Sequence, residues 1–219
     1  MFNKRHIVRT IAATVSILAL SFTAACGSGQ STASNSTDSD DITQQTYKPG
    51  KLTIATGQPA YEPWVMNDKP ESGEGYEAAV AYAVADKLGF KKSDVVWTRT
   101  AFDTAIAPGA KDWDFNIQQF GITDERKKAV DFSSSYYNDS QSVVVKKDSK
   151  FANATKVSDL KDATVGVMVG TLAYDYAKAN IKDDIQTFND DAALAQALDA
   201  GQIDALVTST VECVYMVQS

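Results

Sequence analysis

The sequence predicts an α/β fold, and three features of the run that begins at Leu52 carry the prediction. Short β-rich runs at 52–56, 94–97, 142–147 and 164–170 alternate with segments at 75–89 and 191–201 whose apolar residues recur at helical spacing. Glycine punctuates the pattern, with Gly57, Gly121 and Gly170 after strands and Gly89 and Gly201 after helices. The order helix, Gly, Asp, strand occurs near 108–115 and again near 199–207, a weak echo of two similar lobes. About 170 residues follow a polar N-terminal segment, enough for one large core or two small ones.

The chain starts with Lys4, Arg5 and Arg9, then an apolar run at 11–22 that ends in small residues before Cys26. That run is too short to span a bilayer and reads as a signal peptide over residues 1–25. Residues 23–27, TAACG, look like a bacterial lipobox with Thr23 where Leu is usual, which makes Cys26 a lipidation site; cleavage after Ala25 without lipid is the plainer reading. The polar stretch after it predicts a disordered tether over 26–50.

Loss of residues 1–25 removes 3 of the 21 basic residues and none of the 28 acidic ones, leaving a net charge of −10. A chain this acidic is a poor partner for nucleic acid. The one histidine, His6, leaves with the signal peptide, so no imidazole-based nucleophile or metal site is expected, and no cofactor. With Cys26 lipidated, Cys213 is a lone thiol and no intrachain disulfide forms.

The strand at 52–56 feeds a loop at 60–64, AYEPW, at its carboxyl end, where open α/β sheets place ligand crevices. Tyr61 and Trp64 are crevice residues or core aromatics on this evidence. The helix at 75–89 presents Tyr76, Ala79, Val80, Ala83, Val84 and Leu88 on one face, and Glu77 reads as a solvated carboxylate of its first turn. Thr100 and Asp103 read as a capping pair for a helix that Pro108 and Gly109 end. In the run at 114–121, Phe115 and Ile117 point one way and Asn116 and Gln118 the other, with Gln119 and Gly121 reaching the crevice. Thr123 and Asp124 can cap a following helix, and Arg126, three residues past Thr123, is placed to grip a carboxylate through two parallel bonds. A surface Arg in a capped helix is the plainer reading. Farther on, Gly170 admits close backbone approach and Thr171 opens a helix whose N–H groups suit an anion. Ser209 and Glu212 have the spacing of a capping box.

The run GITDERKKAVDFSSSYY at 121–137 resembles the I-T-x-E-R-x-x-x-x-D-F-S-x-x-Y element of extracellular amino-acid-binding proteins that serve ABC transporters, solute-binding protein family 3. The resemblance extends over about residues 51–208. It implies a two-lobe, type II periplasmic-binding-protein-like fold, with lobe one at 51–140, a hinge near 138–142 and an incomplete lobe two at 141–219. It implies that Arg126, Gly121 and Thr123 hold a ligand carboxylate from lobe one, and Gly170 and Thr171 from lobe two. Tyr61, Trp64 and Phe102 would enclose the side chain, Gln58 would address its polar end, and Gln119 would reach the ligand. Core packing is the rival role for Phe102. Two departures stand out: Ser209 replaces the usual ammonium-binding Asp, with Glu212 one helical turn away as a candidate replacement for the charge, and the return segment to lobe one is missing; together they predict weak binding.

The implied function is capture of an amino acid, polar in its side chain, by a monomeric lipoprotein on the outer face of the cytoplasmic membrane, for an ABC permease. A non-transporting remnant or sensor is one alternative, and a periplasmic dehydratase of the arogenate or prephenate type is another. The dehydratase needs a general acid or base in the cleft, and no carboxylate falls on a matched ligand position.

Overall fold

A computed structural model of the chain describes residues 41–218. The signal peptide, Cys26 and most of the expected tether lie outside the described residues.

Two open sheets organise these residues. In the first, β1 (Leu52–Gly57) lies between β2 (Val95–Thr100) and the two-residue β3 (Phe115–Asn116), all parallel. Helix α1 (Tyr76–Lys87) links β1 to β2, and the short α2 (Phe102–Ile106) follows β2. The second sheet has the order β4-β7-β5-β6, built from β4 (Gln141–Val145), β5 (Val165–Met168), β6 (Ile185–Phe188) and β7 (Ala205–Ser209). Strands β5, β6 and β7 are parallel, and β4 runs antiparallel to β7 with Gln141 opposite Ser209. Helices α3 (Leu172–Asn180), α4 (Asp191–Asp199) and α5 (Thr210–Gln218) follow β5, β6 and β7.

The period-two alternation of strands distributes the cores. Leu52 and Ile54 of β1 pack with Ala81, Ala85, Phe90, Phe115 and Ile117. In β7, Val207 joins Val165, Val167, Ala173 and Ala177 on one face, while its neighbour Leu206 joins Leu194, Leu198 and Ile203 on the other. Both faces of the second sheet are therefore covered, as a mostly parallel sheet requires.

Several expectations change. The buried face of α1 is Glu77, Ala78, Ala81 and Ala85, while Tyr76, Ala79 and Ala83 are exposed and Val80, Val84 and Leu88 are half-buried. An alanine-rich helix offers two faces of similar apolarity, and the smaller one lets it approach the sheet more closely. The stretch at 41–50, expected within the tether, makes defined hydrogen bonds. Asp41 caps a 3-10 turn at Ile42–Gln44 through the Thr43 N–H at 2.9 Å, and the Tyr47 N–H donates to Asp114. The Tyr47 N–H finds its partner on the folded body and the Thr43 N–H finds one within the segment, which a purely compositional reading does not anticipate. The Thr100–Asp103 cap is absent: Ala101 takes the cap position, and Asp103 accepts from the adjacent Thr104 N–H. The helix expected after Thr123 is a single 3-10 turn, Arg126–Lys128, and the strand expected at 114–121 ends early, with Gln119 at φ 52°.

Gly75 fixes how α1 meets the loop after β1. Its φ is 101°, and a Cβ there would stand 2.5 Å from the Trp64 carbonyl oxygen and 2.7 Å from its carbon. Backbone cannot yield as a flexible side chain can, so Gly75→Ala should lower stability by about 1–3 kcal/mol or more, read from urea unfolding. A loss under about 0.5 kcal/mol would show that this junction does not constrain the fold.

Candidate functional site

The carboxyl ends of β1, β3, β5 and β7 open onto one cleft of about 470 Å3 between the two sheets. Parallel strands aim their carboxyl ends, and the first turns of the helices that follow, at the same edge. Both halves therefore contribute polar groups to the cleft.

Arg126 lies at the junction. Thr123 Oγ1 accepts from its backbone N–H at 3.1 Å, Nη1 donates to the Gly121 carbonyl at 2.8 Å, and Nη2 donates to the Gly170 carbonyl at 2.9 Å. Its guanidinium carbon sits 5.6 Å from the ring centres of both Phe102 and Phe120, which stack on each other at 4.1 Å. Two N–H groups on carbonyls leave further donors of the fork for an anion. Thr171 caps α3, its hydroxyl accepting from the Tyr174 N–H at 3.3 Å and donating to Met168 at 2.8 Å.

Of the residues singled out in the sequence, Tyr61, Trp64, Phe102, Gln119, Gly121, Arg126, Thr171 and Ser209 line the cleft. Gln58 does not, because its side chain is exposed, and Gln118 and Asn116 present amides there instead. Thr123 also lies off the lining and acts on Arg126 from behind. Gly170 enters through its carbonyl, as an acceptor for Arg126 rather than an anion donor, and Gly121 does the same. A Cβ at Gly121 would collide with Leu172 Cδ1 of the other half, so glycine permits this approach.

Besides the exposed Asp139, three acidic residues line the cleft: Glu77 and Asp191, which sequence reasoning did not place there, and Glu212, the candidate replacement for the missing charge. Each occupies the first turn of a helix that follows a strand, a position whose usual reading is a solvated or capping carboxylate. Glu77 is 0% exposed and accepts from the Gln119 N–H at 2.8 Å, from the Gln119 side-chain amide and from the Tyr136 hydroxyl. Burial raises its pKa to about 7, although the three donors pull the other way. Asp190 takes the cap of α4 by accepting from the Ala193 N–H, so Asp191 is turned inward. Thr208 Oγ1 lies 2.6 Å from Glu212 and 3.5 Å from Asp191. Burial, with the negative charges nearby, pushes both carboxyls upward. Only half of the expected capping box forms: Ser209 Oγ accepts from the Glu212 N–H at 3.2 Å, while the Glu212 side chain goes to Thr208.

Contacts between the halves include Arg126 on Gly170, the Ala192 N–H on the Tyr61 hydroxyl at 3.2 Å, and Tyr215 on Glu62.

Buried acids with raised pKa values hold more protons folded than unfolded, so their contribution to stability falls as pH rises. For Glu77 the window runs from the ordinary 4.5 to about 7, and the Asp191–Glu212 pair adds to the same trend. The melting temperature should therefore decline between pH 5 and pH 8, and Glu77→Gln or Asp191→Asn should flatten the decline. A profile that rises over that range would contradict this account of the acids.

The match to known proteins agrees with this architecture. Residues 52–191 match the model of bacterial extracellular solute-binding proteins, family 3. The chain is 31% identical over 160 residues to the L-cystine-binding protein TcyJ of Escherichia coli K12, covering 72% of this chain and 59% of that protein. It is 32% identical over 225 residues to the glutamine-binding protein of Geobacillus stearothermophilus, covering 94% and 82%. An ancestral arginine-binding protein bound to arginine superposes with a TM-score of 0.65 at 34% identity, over 77% of this chain and 74% of that one. With the family match spanning the first sheet, the Arg126 segment and the second sheet as far as the start of α4, this chain belongs to bacterial extracellular solute-binding protein family 3.

Proposed function

We propose that the protein captures an extracytoplasmic amino acid and presents it to an ABC-type permease. The observation that carries this reading is the pairing, in one cleft, of the Arg126 guanidinium with the buried Asp191 and Glu212 carboxylates. A zwitterion offers the complement to each. Its carboxylate meets Arg126, Thr171 and the N–H groups at the start of α3, while its ammonium meets the acids; Tyr61, Trp64 and Phe102 wall the cleft. The negative charge expected at Ser209 comes, on this reading, from the neighbouring helix turn through Glu212 and from Asp191. The relatives named for cystine, glutamine and arginine support an amino acid as the class of ligand.

A second reading draws support from the same acids. Glu77, buried and with its pKa near 7, has the character of a general acid or base. One structural relative is an ancestral amino-acid-binding protein described as a precursor of cyclohexadienyl dehydratase, with a TM-score of 0.65 at 34% identity. Glu77 is committed to three donors, which favours a positioning role and hence binding over turnover.

Loss of a charge-assisted bidentate contact costs about 2–5 kcal/mol, so Arg126→Ala should weaken amino-acid binding by about 30-fold to several thousand-fold in calorimetry. A loss under about threefold would remove Arg126 from the carboxylate site, and turnover of arogenate or prephenate would favour the enzyme.

We also propose that Cys26 carries a lipid that holds the protein on the outer face of the membrane. Cys26→Ala should shift processed protein from the membrane fraction to the medium. Unchanged retention after a salt wash would point to another anchor.

A further inference from the structure

We propose that the cleft selects an amino acid whose side chain carries a second positive charge, with Asp191 and Glu212 taking the two cationic groups of the ligand. The proposal rests on the amino-acid-binding reading and deepens it.

Charge inside the cleft is unbalanced. Among the described residues, its lining holds one cation, Arg126, against four carboxylates: Glu77, Asp139, Asp191 and Glu212. Arg126 is answered by the ligand carboxylate. Glu77 already holds three donors of the protein, and Asp139 is exposed to water. Asp191 and Glu212 remain. Each is 7% exposed, and the side-chain donor they share is the Thr208 hydroxyl, which has one proton to give. The charged groups that act on them are also negative: Asp190 and Glu212 on Asp191, and Asp139 on Glu212. Tyr61, the titratable group at the start of α4, is neutral, burial pushing it up to about 12.

One further group points to a ligand rather than to an internal partner. Thr56 Oγ1, 1% exposed in the lining, has no hydrogen-bond partner and can accept from a cationic N–H. The Trp64 indole, 3% exposed, stands beside Glu212 and favours its ionised form. Its ring packs edge-on with Tyr137 at 5.2 Å and lines the cleft as an electron-rich surface.

A neutral amino acid brings one ammonium. One carboxylate of the pair is then matched and the other must keep a proton, because two adjacent buried acids cannot both ionise without counterions. A basic amino acid matches both and displaces that proton. Its advantage over a neutral analogue therefore grows as pH rises toward the range in which the pair ionises.

The comparison is between L-arginine and L-citrulline, which have nearly the same shape but differ in side-chain charge, by calorimetry on the whole chain, with L-glutamine alongside. Arginine should bind at least about 30-fold more tightly than citrulline at pH 7.5, and the ratio should rise between pH 6 and pH 8. Asp191→Asn and Glu212→Gln should collapse the ratio toward one. If either variant is unfolded by circular dichroism, the ratio and its pH dependence in the unaltered protein decide the matter. Citrulline or glutamine binding as tightly as arginine would overturn the proposal and leave the amino-acid reading standing. Failure of all twenty amino acids to bind would overturn both.

Discussion

The buried carboxylate of Glu77 ties the cleft-facing part of the first half together. It receives the backbone and side-chain N–H groups of Gln119, just after β3, and the hydroxyl of Tyr136, just before β4. The chain between those points carries Phe120, Gly121, Thr123 and Arg126, and it contains no helix longer than one 3-10 turn among the described residues. A segment so poor in regular structure holds its shape through its ends and through side-chain contacts. Glu77 supplies the ends by reaching from the first turn of α1, and the Thr123 hydroxyl supplies the bend on which Arg126 sits.

From that anchored segment Arg126 extends to both halves, through the Gly121 carbonyl on its own side and the Gly170 carbonyl on the other. Closure of two lobes over a ligand needs a contact that is satisfied only when the halves approach, and a fork of five donors is suited to it. Gly121 contributes by lacking a side chain, since Leu172 of α3 occupies the space where a Cβ would stand. The Tyr61 hydroxyl and Glu62 make other reaches across, to Ala192 and Tyr215, so the loop after β1 is part of the same contact between the halves.

Electrostatically the two ends of the cleft differ in kind. The Arg126 end is half-exposed, and carbonyl dipoles and aromatic faces hold its positive charge. At the Asp191–Glu212 end two acids are buried with one hydroxyl between them. Such an arrangement costs stability in the protein alone, because burial opposes ionisation and the neighbouring charges oppose it further. Binding sites commonly carry strain of this sort, since a ligand of the right charge relieves it.

Much of the fold was legible in the sequence because strand alternation, helix period and glycine punctuation are local properties. The β1, β5 and β7 strands and the α3 and α4 helices follow from them. The Arg126 segment was legible as a motif, and the cleft position of Tyr61, Trp64 and Phe102 only through the resemblance, since the residues alone left core packing open. What local pattern could not settle was direction. Gln58 and Gln118 have the same side chain and lie near the same crevice, yet one faces water and the other lines the cleft. By itself the sequence determined the order of strands and helices, the family and the guanidinium, because each depends on neighbours along the chain. The tertiary structure alone decided that Glu77, Asp191 and Glu212 are buried at the cleft rather than solvated or capping carboxylates of a first turn. Their burial depends on three helix starts, far apart in the chain, being brought to one edge by parallel strands.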